Sequence, residues 1–88
     1  MPTAHLTIMN PRGLHARAAA RFVKLATGFD AEITVAKGGQ KVSGSSIMGL
    51  MTLAAAIGQK IRVTTKGPEA ETALAALAKL VENRFEGG

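Results

Sequence analysis

Asn10-Pro11-Arg12-Gly13-Leu14-His15-Ala16-Arg17 joins two segments of different periodicity, and its reading decides the fold. Before it, Ala4, Leu6 and Ile8 alternate with His5 and Thr7, a period of two that predicts a half-buried strand. After it, Ala19, Phe22, Val23 and Ala26 recur at i, i+3, i+4 and i+7, the apolar stripe of a helix over 16–27. Pro11 and Gly13 interrupt the chain between the two periods. The octapeptide is therefore a strand-to-helix turn. It brings His15 to the first turn of a helix, with Arg17 two residues on.

Downstream, Gly28 suits a left-handed stop for that helix. Glu32 to Lys37 alternates, with Ile33 and Val35 inward, and Gly38-Gly39 reads as a two-residue hairpin leading into Gln40–Ser43. Ser46 is the best N-cap for a short helix through about Thr52, because its hydroxyl can accept an N–H two or three residues on. Ile47, Leu50, Met51 and Ala54 have helical spacing, which turns Met48 and Gly49 outward. Lys60 to Lys66 alternates as a further strand. Gly67-Pro68 breaks the chain, and Glu69 and Glu71 suit the positive end of a last helix. Ala70, Leu74, Leu77, Val81 and Phe85 carry its stripe to the C-terminus. The order β-α-β-β-α-β-α predicts an α+β domain over residues 1–88, with its two long helices on one sheet face.

Composition narrows the function. The chain has 88 residues, 47% of them hydrophobic, with three Phe and no Trp, Tyr or Cys. A domain of this size buries only about two-thirds of its unfolded surface, so the core must be thin and aliphatic. Without cysteine there are no disulfides or thiolate metal sites, in keeping with a reducing compartment. Met1 to Leu6 lacks a signal-peptide pattern, and no run nears the roughly 18 apolar residues of a membrane span. A cytoplasmic protein with no membrane insertion is expected. The formal charge is +5, and residues 1–29 contain Arg12, Arg17, Arg21 and Lys24 but no acid. A basic surface at that end would steer acidic partners or phosphorylated ligands. Nucleic acid is disfavoured, because the chain lacks aromatic side chains on which bases could stack.

His15 is the residue with chemistry. A histidine at a helix start faces free backbone N–H groups and the positive end of the helix dipole. An anion bonded to its imidazole would meet the N–H groups of Ala16, Arg17 and Ala18. Arg17 adds a guanidinium able to grip phosphate oxygens in pairs. A nucleophile, an anion hole and a fixed cation in eight residues describe a phosphohistidine site. No Walker loop or carboxylate cluster is present, so neither a nucleotide nor a metal or other cofactor is expected. The phosphoryl group must come from one protein and go to another. His5, on the polar side of a strand, reads as a surface residue.

The chain resembles the HPr family, the histidine-containing phosphocarriers of the bacterial phosphoenolpyruvate-dependent phosphotransferase system. Gly13-Leu14-His15-Ala16-Arg17 matches the family's Gly-Leu-His-x-Arg motif, and Ser45-Ser46-Ile47-Met48-Gly49-Leu50 matches its second signature, around a regulatory serine. The resemblance implies an open-faced sandwich, a four-stranded antiparallel sheet with three helices on one face. It implies phosphorylation of His15 on Nδ1 by enzyme I and transfer to the IIA domains of permeases or regulatory proteins. It implies a non-enzymatic carrier, acting as a monomer. In some lineages a kinase/phosphorylase modifies the serine corresponding to Ser46, and regulatory phosphorylation is expected here. A purely regulatory binding protein working through Ser46 is the alternative, against which the presence of His15 counts. Docking is expected at Arg12, Arg21, Lys24, Ile47, Met48, Gly49 and Met51. One departure is Ala18, where the family usually has proline; alanine keeps helix propensity and adds an N–H donor.

Overall fold

The computed structural model describes residues 1–87. The chain runs through β1 (Thr3–Thr7), α1 (Ala16–Ala26), β2 (Glu32–Lys37), β3 (Gln40–Ser43), α2 (Ile47–Thr52), β4 (Lys60–Lys66), α3 (Ala70–Glu82) and a last turn, α4 (Arg84–Gly87). The sheet has the order β1-β4-β2-β3, and every neighbouring pair is antiparallel. Val35 and Val42 face each other across β2 and β3, and Val35 and Val63 across β2 and β4. These inward residues, with Leu6 and Ile61, meet Phe22 of α1, Leu50 of α2, and Leu77 and Val81 of α3 in one core. α3 packs on β1 and β4, and α1 lies between α2 and α3. The α+β sandwich with its helices on one sheet face is the expected architecture.

Two local expectations are corrected. Gly28 does not end α1 in a left-handed conformation: Thr27 is the C-cap at φ −74°, and Gly28 N–H bonds back to Leu25 O at 3.1 Å. The chain tightens into the next turn instead of reversing hand. The Gly38-Gly39 hairpin forms as expected, with Lys37 paired to Gln40 and Gly38 at φ 59°. The last helix does not continue to Phe85. α3 stops at Glu82, and Arg84, Phe85 and Glu86 follow at φ 55°, 53° and 62°. Phe85 still fills the core, fully buried, but it arrives through a left-handed turn.

Strand register also gathers charge. Lys41, Lys60, Arg62 and Lys66 come from β3 and β4, and all lie on the sheet face away from the helices. The basic surface at the His15 end is therefore matched by a second one. His5 is exposed on that outer face, opposite Arg62, as its place on the polar side of β1 requires. No helix among the described residues is long and apolar enough to cross a membrane.

Candidate functional site: the turn that carries His15

The turn between β1 and α1 is held from behind by the loop that follows α2. Ile8 N–H donates to Gln59 O at 2.8 Å, and Gly58 N–H to Ile8 O at 2.9 Å. Next, Gly13 N–H closes a turn onto Asn10 O at 3.0 Å, and the Asn10 side-chain amide donates to Gly13 O at 2.7 Å. Leu14 N–H then donates to Ala55 O at 2.9 Å. Gly13 is buried at φ 63°, and a Cβ there would collide with the Ala55 carbonyl oxygen. Only glycine combines this backbone conformation with so close an approach. Leu14, 5% exposed, plugs into the core and anchors the residue before His15.

His15 is the N-cap of α1, with extended backbone at φ −76° and ψ 178°. Its carbonyl accepts the first helical bond, from Ala19 N–H at 2.8 Å, and its side chain makes no capping hydrogen bond. The N–H groups of Ala16, Arg17 and Ala18 thus belong to a first turn with no intrahelical acceptors. No acidic residue lies in that turn to occupy its positive end. His15 is half-buried and Arg17 is exposed, so ring and guanidinium share an accessible helix start. Ala18 is buried in the core, and α1 begins at Ala16 with alanine in its third position. An anion bonded to the ring would find backbone donors on one side and a guanidinium nearby, the pairing that stabilises a phosphoryl group.

Ser46 begins α2 in a different way. Its hydroxyl accepts Gly49 N–H at 2.9 Å, and its carbonyl accepts Leu50 N–H at 3.0 Å. Beyond it, Ile47, Met48 and Met51 are 40%, 71% and 37% exposed. Ile47 and Met51, though they share helical spacing with Leu50, stand at the surface where docking is expected, and the core side of this segment is carried by Leu50 and Leu53. Gly49 does not point outward. A Cβ there would lie 3.0 Å from Ser46 Oγ and 3.1 Å from Val42 Cβ, so the glycine lets the helix sit against β3. Arg12 and Lys24 are exposed. Arg21 instead reaches across to donate to the carbonyl oxygens of Phe85 and Glu86, the latter at 2.8 Å, and holds the left-handed turn against α1.

Several positioning groups escape a reading by local pattern. Asn10 is buried, and its amide staples the His15 turn. Ala55 contributes only a carbonyl. Lys37 donates to Leu53 O at 3.0 Å and so steadies the segment from which Ala55 projects. The one local signal was Asn10-Pro11, a turn-initiating pair.

Comparison with known proteins agrees with this geometry. The family model for the phosphotransferase-system (PTS) HPr component phosphorylation site matches residues 2–83. The phosphocarrier protein HPr of Cupriavidus necator is 44% identical over 82 residues, covering 93% of this chain and 92% of its own. The phosphocarrier protein NPr of Shewanella violacea is also 44% identical, over 92% of this chain and 89% of its own. Among solved structures, HPr-C-His from Thermoanaerobacter tengcongensis superposes with a TM-score of 0.94 at 39% identity, covering 100% of this chain and 99% of that one. The chain therefore belongs to the HPr family, the phosphocarrier proteins of the phosphotransferase system.

Proposed function

We propose that His15 is the phosphoryl-carrying residue, loaded by phospho-enzyme I and unloaded onto IIA domains. The observation that supports this most is the α1 start: a half-buried histidine at an N-cap whose side chain leaves the first-turn N–H groups uncapped. In the loading step the lone pair of neutral His15 Nδ1 attacks the phosphorus held on the donor's histidine. The new N–P bond forms as the donor's N–P bond breaks, and the donor ring takes back that electron pair. No proton need leave His15, because its other nitrogen keeps the N–H. Positioning and charge stabilisation are all such a transfer asks of a carrier. The first-turn N–H groups and Arg17 hold the equatorial oxygens. Transfer to a IIA domain is the same exchange in reverse, with the IIA group as attacker.

Arg12 and Lys24 draw acidic partners to this end, and the exposed Ile47, Met48 and Met51 of the neighbouring helix give them an apolar, adaptable footing. Ser46 serves as the regulatory site for an HPr kinase/phosphorylase. A phosphate on its oxygen would stay near the start of α2 and place a dianion beside the docking patch, repelling an acidic partner without unfolding the helix.

The test is incubation with labelled phosphoenolpyruvate and enzyme I. The expected label is acid-labile, alkali-stable and absent from His15→Ala. Equal labelling of that variant would overturn the assignment. For Ser46, a cognate kinase with ATP should give an acid-stable label that Ser46→Ala lacks, and label persisting in that variant would move the site elsewhere.

A further inference from the structure

The sheet face turned away from the helices carries a pattern that phosphoryl transfer at His15 does not use. Pairing register places Thr3 opposite Thr64, Thr64 opposite Thr34, and Thr34 opposite Ser43. Four hydroxyl side chains thus form one row across all four strands, and Thr3 and Thr64 already touch, Oγ1 to Oγ1, at 3.2 Å. The adjacent row is His5, Arg62, Ala36 and Lys41, in the same strand order. Ala36 points outward yet is only 4% exposed, so its neighbours' longer side chains rise around it and leave a shallow trough with a methyl floor. Lys60 sits beyond Arg62 on β4, and Lys66 faces Glu32 on the other side of the hydroxyl row.

The face therefore holds Lys41, Lys60, Arg62 and Lys66 against the single carboxylate of Glu32. Among the described residues none of these four cations makes an ion pair or a side-chain hydrogen bond. Like charges brought together by a sheet repel one another, and a ligand of opposite sign relieves that repulsion. The hydroxyl row supplies the neutral donors and acceptors that an extended backbone or a carboxylate needs. Across four strands it spans about 14 Å, the reach of about four residues of extended chain.

We propose that this outer sheet face docks an extended acidic segment of a partner protein, laid along the Thr3-Thr64-Thr34-Ser43 row with its carboxylates toward Arg62 and Lys41. Nucleic acid fits less well, since the face has no Phe, Tyr or Trp on which successive bases could stack, His5 being its one ring. A membrane surface fits less well too, since Met1 at one edge is the one large apolar side chain that the described residues place beside the face. The site lies opposite the helices, so an acidic partner there can be held while His15 faces another protein.

The test uses 15N-labelled full-length protein titrated with a ten-residue peptide of alternating Glu and Ser at 50 and 200 mM salt. Amide shifts should appear at Thr34, Ala36, Ser43 and Thr64, with affinity falling at the higher salt. The double variant Lys41→Glu/Arg62→Glu should weaken binding at least tenfold. The charge-matched control Lys79→Glu/Arg84→Glu should change it less than threefold. Circular dichroism must show all three chains folded, and labelling by enzyme I should proceed at the wild-type rate in the Lys41/Arg62 variant. That rate separates this proposal from the role of His15, since either can fail alone. Shifts confined to residues 12–24, equal losses in both double variants, or tighter binding of a charge-matched oligonucleotide or of anionic vesicles would each overturn it.

Discussion

Two helix starts of this protein each have an extended N-cap residue, and the two side chains treat the first turn differently. At α2, Ser46 closes the helix on itself: its hydroxyl takes Gly49 N–H, and one orphan donor is satisfied from within. At α1, His15 occupies the N-cap position, also extended, but its side chain does not close the turn. A capped start is a finished structural element. A start left uncapped by its own side chain has donors to offer, and in the proposed function these serve a phosphoryl group on His15. The difference separates a residue that stabilises a helix from the one proposed to carry a group, although sequence alone puts a polar residue at both.

The His15 start should be the more sensitive to its supports. Gly13→Ala forces a Cβ against Ala55 O at a left-handed φ, and about 3 kcal/mol of stability should be lost in urea unfolding. The rate of labelling by enzyme I should fall with it, because the same turn sets the direction of the His15 ring. Full activity with unchanged stability would show that the turn does not need its close approach to the α2–β4 loop. Arg17→Ala should leave unfolding unchanged, since the side chain is exposed, and reduce phosphorylation roughly tenfold by removing a charge-assisted contact. Rescue by Arg17→Lys should be partial, because an ammonium cannot bridge two phosphate oxygens as a guanidinium does. Ser46→Ala is the smallest perturbation. It should cost about 1 kcal/mol of stability, with Ser46→Asn restoring most of it, while His15 labelling stays at the wild-type level. A Ser46→Ala variant as stable as wild type would remove the contrast between the two starts.

Much of this was legible because it is periodic. Alternation over 4–8 and 60–66 and the 3.6-residue stripes after Ala16 and Ala70 are set by which face each element buries. Ser46 was legible as a helix start because capping chemistry is local, and His15 because the period changes just after Pro11 and Gly13. Phe85 misled for a physical reason: at i+4 from Val81 it continues the α3 stripe, yet it reaches the core after three residues of left-handed backbone tied down by Arg21. Gly49 misled in the same way, since helical spacing turned it outward while its missing side chain is what admits β3. Ala55, Asn10 and Lys37 act through contacts between segments far apart in sequence, and a carbonyl has no residue signature. The outer basic face was hidden because strand register, not sequence proximity, gathers its cations.

The central claim is that the uncapped start of α1 makes His15, through Nδ1, the phosphoryl carrier. Selective 15N-histidine labelling followed by phosphorylation with phosphoenolpyruvate and enzyme I tests it most directly. One- and two-bond 15N–31P couplings identify the phosphorylated nitrogen. The account predicts a single phosphohistidine, at His15 Nδ1, with the amides of Ala16, Arg17 and Ala18 shifting strongly as they bind the phosphate. Phosphate on Nε2, on His5, or on His15 without those amide shifts would contradict it.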